Sequence, residues 1–411
     1  MNSWLIFLLV VIIGSYLLEL TISYLNLKAL DPQLPKEFDD VFDAQEYAKS
    51  QEYTRARTSL SLISGSIGTC ATLTFLLLGG FNLVDSLVRS LELNSILTGL
   101  CFAGFLALLG FLLNLPFSLY STFVIEERFG FNNTTATTYV LDILKSALLM
   151  VVLGGPLLAL ILWFFEAAGS LAWIYCWIGV VLFSILIQFL APVIIMPLFN
   201  KFSPLEDGEL KETINGYTER EKFRIQGIFT MDGSKRSSKV NAFFTGFGRF
   251  RKIVFYDTLM EKLTTGEIVA VLAHEMGHFK KKHIIKMLVI SVVQTGIMFY
   301  LLSLIMQNQG LFEAFKMDHI STYASLIFFG YLFSPVNMLV SIAFNFISRK
   351  HEYEADAYAI DSTSTVDDLI SGLKKLSQAN LVNLTPHPVA VFLEYTHPPV
   401  LERIEAIRKL S

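Results

Sequence analysis

Charge is what this sequence has least of. Only 17% of its 411 residues are Asp, Glu, Lys or Arg, whereas a soluble globular chain carries about 25%. Neither sign dominates: 32 Lys and Arg stand against 36 Asp and Glu, a net charge of −4, which gives no reason to expect nucleic acid as a partner. Cysteine is nearly missing as well. Cys70, Cys101 and Cys176 are far apart and each sits in an apolar run, which argues against a disulfide framework or a thiolate metal site. Internal repeats and low-complexity tracts are also missing. What is abundant is apolar sequence, 53% of the chain with 35 phenylalanines, and this is the composition of a membrane protein.

Apolar stretches of the roughly 20 residues needed to cross a bilayer recur near 3–26, 60–84, 97–123, 138–167, 171–198, 284–307 and 321–347. The first begins almost at Met1 without a basic flank or a small-residue cleavage site, so it reads as a retained span rather than a signal peptide. Spans four and five meet at the short "FFEAAGS". Lys and Arg cluster in the segment between spans one and two and after spans five and seven, and are sparse in the alternate loops. The positive-inside rule then predicts seven spans with the N-terminus outside and the C-terminus in the cytoplasm. The chain divides into a five-span region (1–200), a cytoplasmic insertion (201–283), two further spans (284–348) and a cytoplasmic C-terminal segment (349–411).

The insertion opens on "NKFSPLEDGEL". Ser203 suits an N-cap, Pro204 a first helical position and Glu206 a capping box, leading into an amphipathic helix with Leu205, Leu210, Ile214 and Tyr217 inward. "RIQGIFTM", "KVNAFFTGF" and "RKIVFYDTL" read as strands of a small antiparallel sheet with Gly-containing turns. "LTTGEIVAVLAHEMGH" is a helix capped by Thr264 with Glu267 three residues on, and it is expected to run on through Lys280, Lys281 and Lys282 into span six.

That helix carries the chemistry. His274 and His278 are four residues apart, so their rings project from one face about one turn apart, the spacing two imidazoles need to share a zinc ion. Glu275 lies about 100° around from His274, placed to act as base toward a water rather than as a ligand. A third protein ligand is needed, with the fourth position left for water. His283, nine residues from His274 on the opposite face, is a poor candidate and reads as an interfacial residue. After span seven, "NFISRKHEYEADAYAID" offers His351, Glu352, Glu354 and Asp356. Glu352 and Asp356 are four apart, so one can bind metal while the other accepts a hydrogen bond from a ligand imidazole. Glu352 is the preferred ligand on this spacing, Asp356 its supporting acceptor, and His351 the competitor. One Zn²⁺ per chain is expected.

With these residues in place, the chain resembles the integral-membrane zinc metalloendopeptidases of the type I CAAX prenyl protease family. The resemblance rests on "FVIEERFGFN", "PLFNKFSPLEDGEL", "NAFFTGFGRFRKIVFYDTL", "HEMGH", "SRKHEYEADAYA" and "HPPVLERI", in that order across most of the chain. It implies an all-α polytopic membrane protein of about seven transmembrane helices around a chamber, with a small α+β zincin-like cytoplasmic cap. It implies His274, His278 and Glu352 as ligands, Glu275 as base, His397 as oxyanion stabiliser with Arg403 near it, and Asn241 and Ala242 on an edge strand that pairs with the substrate backbone. The implied partners are the lipid bilayer and a peptide or protein substrate, prenylated or otherwise membrane-associated. The implied home is a bacterial inner membrane, favoured by compact loops, or the endoplasmic reticulum of a eukaryote. The alternative is a seven-helix transporter or receptor that binds zinc without proteolysis. Intramembrane acids would suit it, but it has no use for a glutamate beside its ligand histidine, and no inverted repeat is visible. Asp142 and Lys145 are expected to pair at i,i+3 or to line the chamber. "IEERFGFN" reads only as an interfacial loop.

Overall fold

The computed structural model describes residues 2–245 and 252–410. Seven of its helices are long and apolar enough to cross a membrane. They are α1 (Ser3–Lys28), α2 (Ala44–Leu77), α4 (Ser95–Glu126), α5 (Ala136–Ala167), α6 (Gly169–Phe199), α9 (His283–Ile305) and α10 (Thr322–Thr363). Between α2 and α4, Gly79 takes a left-handed conformation (φ 78°) and starts a short amphipathic helix, α3 (Gly80–Arg89). The second apolar stretch, read near 60–84, therefore ends sooner and begins earlier. Asp43 caps the amides of Gln45 and Glu46, and the polar first third of α2 projects beyond the apolar part to bury Tyr47, Ser50 and Tyr53. At "FFEAAGS" the chain turns on Gly169 (φ 56°), whose conformation costs a side-chain-free residue little.

No membrane helix has more than 17% of its apolar window buried. Residues of α1, α2, α4 and α10, among them Tyr16, Glu19, Asn114 and Tyr331, line a cavity of about 640 Å³ between these helices. Their tight packing is concentrated at the two ends. At the end away from the soluble segment, Phe81, Phe102, Phe312, Phe315 and Phe328 close one core, with Phe315 and Phe328 stacked 3.6 Å apart. At the other end Phe38, Tyr47, Ile214, Phe255, Met276 and Ile404 form the core of the cap.

The cap contains a four-stranded sheet of order β1 (Phe202–Pro204), β2 (Gly227–Met231), β4 (Lys252–Tyr256), β3 (Ala242–Thr245). Two sequence expectations fail here. The residues Ser203 and Pro204 belong to strand β1, and helix α7 (Glu209–Arg220) starts after Gly208; pairing of Ser203 with Thr230 outweighs the local capping signal, and Pro204, at a sheet edge, gives up no ladder donor that is needed. The sheet is also mixed, not antiparallel throughout, because β2 and β4 run parallel and β3 lies outside them. The Gly-containing turn expected between β3 and β4 falls on residues 246–251, outside the described residues. The face of the sheet is covered by α8 (Thr265–Lys280), which begins in the expected capping box of Thr264 and Glu267.

The segment after α4, "IEERFGFN", turns out to be a strap between membrane and cap. Glu126 accepts hydrogen bonds from Tyr53 Oη at 2.6 Å and Lys239 Nζ at 2.8 Å. Phe129 and Phe131 pack edge-on against Tyr53, and Asn132 forms a bridge to Ser237. Just beyond it, Asp142 receives both the Nε (2.7 Å) and Nη2 (3.0 Å) of Arg236. Its pairing with Lys145, at 3.8 Å, is real but secondary. A forked guanidinium–carboxylate contact fixes orientation as well as distance, so the cap is registered on the helices beneath it.

Candidate metal centre and active site

Helix α8 lies across the distal part of α10 at unusually short range. A Cβ on Gly277 would stand 2.9 Å from Ala355 Cα and 3.0 Å from its carbonyl oxygen, so only glycine allows this approach. The apposition brings the two histidines of α8 to Glu352 of α10. His274 Nε2 and His278 Nε2 are 3.2 Å apart. Glu352 places Oε2 3.4 Å from the first and Oε1 3.3 Å from the second. Among the described residues these three form a group whose ligand atoms all lie within 4.8 Å of one another.

The donor set fits a metal ion. His274 Nδ1 faces Asp356 Oδ1 at 2.8 Å, so in the neutral ring the network assigns the proton to Nδ1 and leaves Nε2 a lone pair. Two ring nitrogens and a carboxylate then converge on one point. Each histidine nitrogen has one of the two Glu352 oxygens within 3.4 Å and the other histidine at 3.2 Å, close enough for one ion with bonds of about 2 Å to reach all three side chains. In the absence of a metal, burial opposes charge on His274, but Asp356 and Glu352 outweigh it and raise its pKa to about 9, so a proton occupies Nε2 until a bound cation displaces it. The pocket favours a positive charge.

Arg403, on α13 (Val400–Arg408), is buried behind this group. Its Nε and Nη2 donate to Asp356 Oδ2 and Oδ1 at 2.9 and 2.6 Å, and Nη1 lies 3.3 Å from Glu352 Oε2. It holds two carboxylates in place. His397, largely exposed just before α13, sets Nδ1 3.0 Å from Glu352 Oε2. Glu275, His397 and the three converging residues line a cleft of about 270 Å³, whose other wall is Phe244, Thr245, Phe279 and Ile284.

Strand β3, the expected backbone-pairing edge, is indeed outermost in its sheet. It reaches the cleft through Phe244 and Thr245, while Asn241 and Ala242 stand toward its other end. There the Asn241 carbonyl accepts from Tyr256 N at 3.0 Å, and the Asn241 side chain accepts from Ala242 N at 2.8 Å.

His283 departs furthest from its reading. The helix does not run on through the lysines: α8 ends at Lys280, Lys282 is left-handed (φ 58°), and His283 opens α9. The residue is not interfacial either. It is 2% exposed, with Nδ1 3.1 Å from His278 Nδ1 and Nε2 3.0 Å from Glu354 Oε2. His351 stacks on its ring at 3.8 Å and does not join the converging group.

Seven membrane-length helices joined to a cap, with a two-histidine, one-glutamate group where α8 meets α10, are the parts an integral-membrane metallopeptidase needs. Residues 204–411 match the family model "Peptidase family M48", and residues 23–201 match "CAAX prenyl protease N-terminal, five membrane helices". The chain is 35% identical to CAAX prenyl protease 1 of Saccharomyces cerevisiae over 97% of this chain and 94% of the relative. It is 30% identical to the CAAX prenyl protease 1 homolog of Homo sapiens over 92% and 89%. The crystal structure of S. mikatae Ste24p superposes with a TM-score of 0.94 at 33% identity, covering 99% of each chain. The chain belongs to peptidase family M48 and is a multi-pass membrane metallopeptidase of the CAAX prenyl protease type. The transporter or receptor alternative is set aside.

Proposed function

We propose that this chain binds one zinc ion through His274, His278 and Glu352 and cleaves peptide bonds near the C-termini of membrane-anchored substrates, with prenylated tails as the leading class. The observation that carries the proposal is the convergence of those three side chains, their ligand atoms within 4.8 Å of one another, with Glu275 in the same cleft. When bound, zinc supplies a Lewis acid that polarises the scissile carbonyl and acidifies a water.

The chain's own residues do the rest. Glu275 takes the proton from the attacking water and returns one to the leaving amine. His397, exposed at the cleft, donates to the developing oxyanion, while Asp356 and Arg403 hold His274 and Glu352 behind it. Edge strand β3 aligns the substrate backbone by strand addition, with Asn241 and Ala242 at one end and Thr245 at the cleft. The chamber gives an apolar anchor somewhere to lie while the scissile bond reaches the cap. The catalytic side faces the cytoplasm, from a bacterial inner membrane or, in a eukaryotic cell, the endoplasmic reticulum.

The test is zinc content measured beside cleavage of a farnesylated and a matching unprenylated peptide. Glu275→Ala should lose activity by 10²-fold or more while keeping about one zinc per chain. His274→Ala should lose both. Cleavage by Glu275→Ala at the parent rate would sink the mechanism, and equal rates on the two peptides would remove the prenyl preference.

A further inference from the structure

The two histidines of the metal group are supported in different ways. His274 is held directly by a carboxylate, Asp356. Around His278, among the described residues, the atom facing Nδ1 is Nδ1 of His283, at 3.1 Å, rather than a carboxylate. Either ring could donate in that contact, and a metal on His278 Nε2 selects one of the two arrangements. His278, offering Nε2 to the metal, carries its proton on Nδ1 and donates it. His283 Nδ1 must then accept, which places its own proton on Nε2, and that nitrogen faces Glu354 Oε2 at 3.0 Å. The direction of both hydrogen bonds is thus set from the metal side outward.

The geometry points to His283 as the positioning residue for His278, linking it to Glu354 through a two-imidazole chain; this rests on the metal assignment above. Every part of the chain is itself held. The His283 ring lies nearly parallel to that of His351, 3.8 Å away at an interplanar angle of 10°, which fixes its plane, and both rings are buried. Glu354 has Lys286 and Lys350 at 3.8 and 3.9 Å, which hold its carboxylate in place as the acceptor. Helix α10 therefore serves the centre three times, with Glu352 as ligand, Asp356 behind one histidine and Glu354 behind the other. The left-handed Lys282 has a purpose in this arrangement. By breaking the helix it turns His283 back toward His278, a contact a continuous helix would not allow at this five-residue separation.

Three variants separate this role from simple packing. His283→Phe keeps a ring to stack on His351 but removes the acceptor. His283→Asn keeps an acceptor oxygen near the Nδ1 position. His274→Ala removes a ligand. Zinc affinity is measured by chelator competition, and the metal-free proteins are melted in the same detergent. The expected result is a 10–100-fold loss of affinity in His283→Phe, a smaller loss in His283→Asn, and metal-free melting close to the parent for both. Unchanged affinity in His283→Phe would overturn the proposal. Equal losses in the Phe and Asn variants, with lowered metal-free melting, would also overturn it, by making His283 a packing residue. If His274→Ala binds zinc like the parent, the metal assignment itself has failed, independently of His283.

Discussion

At the residue scale the reactive groups were legible wherever helical spacing alone decides geometry. His274 and His278 four apart, and Glu352 and Asp356 four apart, each share a face regardless of what surrounds them. His283 was not legible, because its position depends on a single left-handed residue, Lys282. Lysine carries no local signal for that conformation, which most often marks Gly or Asn. His397 falls between the two cases. Its "HPP" turn is visible in the sequence, but its closeness to Glu352 depends on α13 packing against α10. His397→Ala should lower kcat by about a hundredfold and leave zinc content near one per chain. Its exposed side chain contributes little to packing, so melting should barely change. Steady-state kinetics and metal analysis on one preparation check this, and loss of zinc along with activity would make His397 a metal-site residue instead.

Among the elements, helices read far better than strands. The capping box of α8 was visible because Thr264 and Glu267 speak to each other across one turn. The sheet was misread because strand order depends on partners remote in sequence: β2 pairs in parallel with β4, and β1 recruits a Ser-Pro pair whose local preference is a helix start. The capping glutamate also gives α8 a pH dependence. Burial works against the charge of Glu267, but Lys375 at 2.7 Å, Ser371 and the Thr264 amide offset it, so its pKa lies below the ordinary 4.5. A carboxylate with a depressed folded-state pKa stabilises fully above its unfolded value, and that contribution fades as pH falls through the folded one. Glu267→Gln should therefore cost on the order of 1–3 kcal/mol near pH 7. The gap to the parent should narrow below about pH 4.5. Melting midpoints of both proteins from pH 7 to pH 3 test this, and a constant gap would show that the charge is not what matters.

For the whole molecule, composition and span count were legible, since bilayer thickness imposes them on any sequence. The cavity between the helices came only from the resemblance, because hydropathy does not say whether an apolar helix faces lipid or a cavity. The strap was missed for a similar reason: Glu126, Phe131 and Asp142 become meaningful only against Tyr53, Lys239 and Arg236, which lie 73 to 113 residues away. Topology remains the plainest global expectation. Single cysteines introduced at Glu206 and Glu405 should react with an impermeant thiol reagent only after the membrane is opened to the cytoplasmic side. One at Glu92, between α3 and α4, should react from outside. Labelling of the Glu206 position from outside would reverse the topology. These reactions are run in a background lacking Cys70, Cys101 and Cys176.

Helix α10 is 42 residues long, roughly 63 Å at 1.5 Å per residue. One end is embedded in lipid and the other carries Glu352. Beyond Pro335, which interrupts its hydrogen-bond ladder, the helix is a lever whose fulcrum is the bilayer. Glu352 stands roughly 27 Å beyond the middle of the helix's apolar stretch, so a change in tilt of about 5° would carry its carboxylate about 2 Å. That is a large fraction of the 3.3 Å separating it from His278. A change in membrane thickness that altered this tilt should then displace Glu352 from the histidines. In vesicles of phosphatidylcholines with progressively longer acyl chains, turnover and zinc retention should peak together at one thickness and fall on either side. A flat response across chain lengths would mean that α8 and α13 brace the lever firmly enough to isolate the site from the lipid.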